Sequence, residues 1–147
     1  MALKDSQLAA LIKYRSTLEK QAKAAYALAV DEEEAVKQNL INAEHERKAA
    51  IGVLETKQKE GIKIHELLTL ENGISAIEEK ISRCRKEVVA AKQKTTTAQK
   101  QLEHAMKERK VMDKLKEKHD IALAAEKKLK ETKQLDEISI QKHRDTR

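Results

Sequence analysis

The chain has no proline, phenylalanine or tryptophan, and only three glycines and two tyrosines, among 147 residues. Proline and glycine are the usual interruptions of helices, so their scarcity permits very long ones. Large aromatic side chains supply much of the apolar area of a globular core, and their absence argues against such a core. The apolar residues that remain are mainly Ala, Leu, Ile and Val, which suit a narrow seam between two helices.

Cysteine and long hydrophobic runs are also scarce. The single cysteine, Cys84, rules out an intrachain disulfide and suits a reducing compartment. The longest apolar run, residues 24–30, is far shorter than the ~20 residues of a membrane span. The N-terminal residues lack a signal-peptide pattern. We therefore expect a cytoplasmic protein without a transmembrane segment, at most peripherally attached to a membrane complex.

The sequence contains no motif typical of a catalytic, phosphate-binding or metal site. Three scattered glycines cannot form a phosphate-binding loop, and the five histidines show no pairing typical of zinc ligands. Nucleic-acid binding is disfavoured because stacking aromatics and a recognisable module are absent. We expect no catalysis, no cofactor and no metal site.

The second half of the chain repeats an apolar or small residue every three or four positions. This spacing is the seam of a left-handed coiled coil. The repeat runs through Ile74, Ile77, Ile81, Cys84, Val88, Ala91, Thr95, Ala98, Leu102, Ala105, Arg109 and Met112. A slip of three near Arg109–Leu115 is predicted, with Leu115, Ala122 and Leu129 resuming the seam.

The first half has a less regular stripe, which we expect to drift in phase near residues 31–34. It is formed by Leu8, Leu11, Leu18, Ala22, Ala25, Ala29, Val36, Leu40, Ala43, Ala50 and Leu54. Alanines let helix backbones approach closely, so residues 22–29 are expected to meet the second helix tightly.

Glycines divide the chain. Gly61 can close a helix and Asn72-Gly73 can break one, so the segment 61–73 is predicted to connect two helices. The predicted fold is all-α: a long antiparallel two-helix coiled-coil hairpin, with helices over 1–60 and 74–147 and a frayed C-terminal dozen residues. A helix pair within a larger bundle is the rival interpretation.

The connecting segment is the most aliphatic part of the chain. Exposed apolar clusters usually mark an interaction site, although a turn of helix capping the seam is equally compatible. In the capping version, Ile64 and Leu68 cover the seam while Leu67 and Leu70 face outward.

Charge is uneven along the chain. Residues 1–73 hold 11 basic and 12 acidic side chains, whereas residues 74–147 hold 20 and 13. The basic surplus of the second half could favour binding to an acidic protein face, an anionic membrane or nucleic acid. A solvated helix surface with Glu–Lys pairs four residues apart, such as Glu103–Lys107 and Glu126–Lys130, explains it as well.

Two stretches resemble the FliJ family, the small coiled-coil proteins of the flagellar type III export apparatus. The C-terminal stretch runs from Glu108-Arg109-Lys110 through Leu115-Lys116-Glu117-Lys118 to Leu135-Asp136-Glu137-Ile138. The N-terminal stretch contains Leu11, Tyr14-Arg15 and Leu18-Glu19. Aromatics often found in the middle of the family are replaced here by Ile and Leu.

The resemblance implies a stalk similar to the central shaft of rotary ATPases, with both chain ends inside the hexameric export ATPase and the hinge half at the cytosolic domain of the membrane export gate. Export chaperones are a further implied partner. The implied ATPase-facing residues are Leu11, Tyr14, Arg15, Leu18, Leu135, Asp136, Glu137 and Ile138. For the gate, exposed apolarity suggests Leu54, Ile62, Leu67, Leu70, Ile74 and Ile77.

Two other functions fit the same pattern. The equivalent stalk of a virulence type III secretion system has the same features, and a generic coiled-coil scaffold or adaptor requires only the heptads.

Overall fold

Two α-helices make up almost all of the computed structural model, which describes residues 4–146. Helix α1 is Asp5–Glu60 and helix α2 is Ile64–Asp145. The two helices pack against each other, and no strand occurs in the described part of the chain. The predicted all-α hairpin is therefore confirmed.

The contacts between α1 and α2 fall into two compact units. The turn unit comprises residues 20–103, and the terminal unit comprises the residues up to Glu19 together with those from His104 onward. In each unit a segment of α1 packs against a segment of α2.

The connection between the helices is short. It consists of residues 61–63, and Gly61 has φ +92°, a left-handed conformation that a side chain makes costly. The predicted connection 61–73 is too long, because Asn72 and Gly73 lie inside α2. The half-buried side chains of Leu70 and Ile74 flank this pair, so packing outweighs its local tendency to break a helix.

The α2 side of the turn unit follows the predicted spacing. Its most buried residues are Ile81, Cys84, Val88, Ala91 and Ala98. Ile81 and Cys84 pack with Ala43, which has no exposed surface. Alternating steps of three and four keep this narrow stripe on one side of the helix.

The helices approach closely at Ala29. This buried residue accepts, through its carbonyl oxygen, a hydrogen bond of 3.2 Å from the Thr95 hydroxyl of α2. A larger side chain would hold the backbones apart. The tight contact predicted for the alanine-rich segment is confirmed at this residue.

The α1 seam of the turn unit differs from the prediction. Ala25 is exposed, whereas Tyr26 and Glu33 are half-buried. The seam therefore continues from Ala29 to Val36 through Glu33, and the phase drift predicted near residues 31–34 does not occur. Long polar side chains can fill such positions with their aliphatic stems.

The seam of the terminal unit ends at His119. Leu8 is buried, Met112 and His119 are half-buried, and His119 contacts Asp5 near the start of α1. Met112 and His119 are seven residues apart, so the predicted slip is absent. Leu115, Ala122 and Leu129, which were expected to resume the seam, are exposed.

The last part of α2 has no described part of α1 beside it. Residues 120–146 are all exposed, yet the helix continues to Asp145, and the predicted fraying of the last dozen residues is not seen. This stretch is about 40 Å long at 1.5 Å per residue. Among the residues described, no helix is long and apolar enough to cross a membrane.

The two glycines at the predicted connection should respond oppositely to alanine. Gly61→Ala should lower the free energy of unfolding by about 1–2 kcal/mol, because alanine disfavours the left-handed conformation. Gly73→Ala should raise it by about 0.5–1 kcal/mol, since Gly73 is helical and a Cβ there meets nothing within 4 Å. Urea unfolding followed by circular dichroism measures both. Equal effects of the same sign would contradict the placement of the turn.

Candidate partner-binding surfaces

A charged network lies in the seam of the terminal unit. Glu19 is 6% exposed, and its carboxylate pairs with the guanidinium of Arg109 on α2. Arg109 Nη1 also donates a hydrogen bond to Asp113 Oδ2, at 2.6 Å. A buried carboxylate is stable only when it is compensated in this way. The network therefore fixes which residue of α1 lies beside which residue of α2.

Arg15 extends the network by one turn of α1. Its Nη1 lies 3.7 Å from Glu108 Oε2, and His104 Nε2 lies 3.9 Å from the other oxygen of the same carboxylate. The guanidinium of Arg15 also lies 5.7 Å from the ring centroid of Tyr14, within the range of a cation–π contact. Arg15 is thus engaged within the chain.

The four N-terminal candidates divide by exposure. Leu11, Arg15 and Leu18 are half-buried, and Tyr14 is 56% exposed. Tyr14 is therefore the member of this set that offers most of its surface to a partner.

The C-terminal candidates are all accessible. Leu135 is 66% and Ile138 54% exposed, and Asp136 and Glu137 between them are exposed as well. The structure does not bring them beside the N-terminal set: Arg15 lies opposite Glu108, which precedes Leu135 by about 40 Å of helix. The start of α1 lies at His119 rather than beside the end of α2.

The candidates near the turn are partly covered. All six are half-buried: Leu54, Ile62, Leu67, Leu70, Ile74 and Ile77. Ile64 and Leu68, by contrast, are 77% and 54% exposed. The expected assignment, with Ile64 and Leu68 covering the seam and Leu67 and Leu70 outward, is wrong. The direction from which α1 packs decides which side is covered, and the sequence alone did not reveal it.

Ion pairs flank the seam of the turn unit. Arg47 Nε donates to Glu78 Oε1 at 3.1 Å, and Lys80 Nζ donates to Glu46 Oε2 at 3.3 Å. Both pairs are solvent-exposed, so each contributes little to stability. The pair that lies earlier on α1, Glu46–Lys80, lies later on α2, as antiparallel helices require. Both pairs therefore fit the register of the seam.

The described residues provide no site for metal chemistry. Within residues 4–146, no group of three or more His, Cys, Asp or Glu side chains could hold an ion. Cys84 is a free, buried thiol packed in the seam. The candidate partner-binding surfaces are the exposed sides of the two helices.

The comparison with known families is decisive. A profile of the family described as "Flagellar FliJ protein" matches residues 4–147, essentially the whole chain. The chain belongs to this family. Searches of curated proteins and of solved structures found no significant match.

Membership in the FliJ family confirms the resemblance seen in the two terminal stretches. Membership in the family indicates a protein of flagellar export. The members of this family are structural rather than catalytic proteins. The helical hairpin agrees with that role, because two narrow helices can present partner surfaces along their sides.

Removing both members of the buried pair should cost less than removing one. Arg109→Leu should lower the free energy of unfolding by about 1–3 kcal/mol, because the buried Glu19 carboxylate loses the guanidinium that pairs with it. The double variant Glu19→Leu/Arg109→Leu should recover most of that loss. Thermal or urea unfolding of the two variants and the wild-type chain provides the measurement. A double variant less stable than Arg109→Leu alone would contradict this account of the pair.

Proposed function

We propose that this FliJ-family protein is a non-catalytic stalk of the flagellar export apparatus. Its terminal unit enters the hexameric export ATPase, and its turn unit contacts the cytosolic domain of the membrane export gate. This role places it on the cytoplasmic side, peripherally associated with the inner-membrane apparatus. The same proposal includes export chaperones as additional partners.

The single observation that carries the ATPase contact is the uncovered C-terminal part of α2. From residue 120 to Asp145 the helix is exposed on every side. A single helix is about 10–12 Å wide with its side chains, which is narrow enough for the central opening of a ring. Exposed Leu135 and Ile138 supply apolar anchors there, and Asp136 and Glu137 lie between them.

The N-terminal candidates support this contact in two ways. Tyr14 offers an exposed ring for direct contact with the ATPase. Leu11, Arg15 and Leu18 are half-buried, so their main part in the proposal is to hold α1 against α2. A substitution of these three should therefore act partly through stability.

The ATPase contact predicts a loss of stimulation when the C-terminal anchors become charged. The wild-type chain should promote hexamer formation and ATP hydrolysis by the purified export ATPase. Leu135→Asp/Ile138→Asp should weaken this effect at least about tenfold, as expected when two exposed apolar anchors are lost from an interface. Hydrolysis rates titrated with each chain provide the measurement.

A matched control keeps this test specific. Leu28→Asp/Ile41→Asp introduces the same two changes at exposed residues of the turn unit, where Leu28 is 61% and Ile41 44% exposed. This control should stimulate as the wild-type chain does. No stimulation by the wild-type chain, or equal loss in both variants, would reject the ATPase contact.

The gate contact rests on the apolar residues near the turn. Ile64 and Leu68 lie four residues apart on α2, so they share one face, and both are exposed. Of the half-buried candidates in α2, Leu67 lies nearest to them, about 60° around the helix from Ile64, whereas Leu70 lies more than about 100° from both and packs toward the seam. Ile64 and Leu68, with Leu67 beside them, form an accessible aliphatic patch of the kind that marks protein interaction sites.

The gate contact predicts that polar residues at the turn weaken binding to the gate alone. Ile64→Ser/Leu68→Ser should lower the affinity for the purified cytosolic gate domain by about tenfold or more, because both side chains lose apolar contact. Stimulation of the ATPase should stay unchanged. Titration calorimetry measures the affinity, and unchanged gate binding in a folded variant would exclude this patch.

A further inference from the structure

The seams of the two units differ in what they bury. In the turn unit the buried side chains are apolar or a thiol: Ala29, Ala43, Ile81, Cys84, Val88, Ala91 and Ala98. In the terminal unit, the buried side chains of the described residues are Leu8 and the charged Glu19. Burial of apolar surface is the main stabilising contribution in such a seam. The terminal unit is therefore held together less strongly than the turn unit.

The pair of Glu19 with Arg109 does not make up for this difference. Glu19 is 6% exposed and Arg109 is half-buried, so closing the seam removes both charges from much of their hydration. The attraction within a buried ion pair is largely offset by the cost of this desolvation, and apolar residues in its place are often equally stabilising or more so. When the seam opens, both groups regain their water.

The other polar contacts between the helices of the terminal unit are more exposed. Arg15 Nη1 lies 3.7 Å from Glu108 Oε2, and about a third of each side chain is accessible. His119 contacts Asp5, whose side chain is 76% exposed. Exposed ion pairs contribute little to stability. The remaining apolar contact comes from half-buried residues, among them Leu11, Ile12, Leu18, Ala105, Met106 and Met112.

The charged layer lies at the edge of the terminal unit, which ends on α1 at Glu19. On the turn side of this edge, the helices approach closely at Ala29, whose carbonyl oxygen accepts the 3.2 Å hydrogen bond from the Thr95 hydroxyl. Close packing of small residues resists separation, because it leaves no room for water between the backbones. A separation of the helices that starts at their ends is therefore expected to stop between Glu19 and Ala29.

We propose that the terminal unit opens and closes as one cooperative segment while the seam of the turn unit stays intact. In the open state, residues 5–19 are separated from residues 104–119, and Glu19 and Arg109 are hydrated. Opening lengthens the uncovered part of α2 from about 40 Å to about 60 Å. The terminal unit thus determines how much of α2 exists as a single helix. This opening is a property of the free chain and does not depend on the function proposed above.

Hydrogen exchange of the full-length chain at increasing urea concentration tests the proposal. Residues 120–146 serve as a single-helix reference within the molecule, because no described part of α1 covers them. Amides of residues 5–19 and 104–119 should exchange more slowly than this reference but at least about tenfold faster than those around Val88, since separated helices protect their amides weakly. Their exchange should depend on urea at most about half as steeply, because less surface is exposed.

Substitutions in the terminal unit test the role of the buried pair. Arg109→Leu should speed exchange of the terminal unit about tenfold or more, because the closed state then retains the Glu19 carboxylate without its guanidinium. Glu19→Leu/Arg109→Leu should return the exchange to within about threefold of the wild type. The matched control Arg47→Leu removes an arginine from an exposed pair with Glu78 and should change exchange by less than about twofold.

A substitution in the turn unit separates the two openings. Val88→Ala removes two buried methyl groups and should speed exchange of the turn unit about tenfold. It should leave the exchange of residues 5–19 and 104–119 within about twofold of the wild type, because Val88 stays packed when only the terminal unit opens. Circular dichroism checks that every variant is helical.

Four results would overturn the proposal. Equal exchange rates and urea dependence in both units would show that the hairpin opens as a whole. Protection that rises steadily from Asp5 to Ala29, without a step, would show that the end of α1 frays residue by residue. Equal acceleration of both units by Val88→Ala would exclude a separate opening. Exchange of Arg109→Leu at the wild-type rate would show that the buried pair does not hold the terminal unit closed.

Discussion

Everything in this protein depends on a seam built from small side chains between two helices. Alanine at Ala29 and Ala43 brings the backbones so close that the Thr95 hydroxyl reaches a carbonyl of the other helix. Each such layer buries little apolar surface, so each contributes little to stability. Stability must then accumulate over many turns, and this requires long helices without proline. The composition and the length of the helices are consequences of the same constraint.

A seam of small residues fixes the distance between helices better than it fixes their register. Alanine layers resemble one another, and a shift of one heptad would bury similar side chains. The pair of Glu19 with Arg109 differs, because a displaced carboxylate would stay buried away from its guanidinium. A polar layer of this kind is a known means of specifying register in coiled coils. Glu19 and Arg109, the charged pair in the seam of the terminal unit, therefore specify which residues of α1 and α2 lie beside each other.

The seam positions of the second half of the chain could be predicted from the sequence. From Ile74 to Met112 the predicted seam is buried or half-buried throughout. Its residues are small or apolar at every step except Arg109, which pairs with the buried Glu19. The first half was harder to predict, because Tyr26 and Glu33 occupy seam positions, the first with its ring and the second with its aliphatic stem. A search for regularly spaced aliphatic residues does not reveal such positions. The turn was placed too broadly because Asn72-Gly73 is a strong local signal overridden by packing on both sides. The candidate site residues were predicted as segments, but which of their side chains are exposed depends on how the other helix packs.

The surfaces left for partners are those that the seam does not use. In the turn unit, Ile64 and Leu68 remain exposed while Leu67 and Leu70 pack partly inward. In the terminal unit, Leu11 and Leu18 are drawn toward the seam, and Leu135 and Ile138 remain free of it. A partner can thus bind either unit without separating the helices, so none of its binding energy is spent on breaking the fold. In the stalk role proposed above, this separation of packing from binding would let the contacts with partners change while the hairpin stays intact.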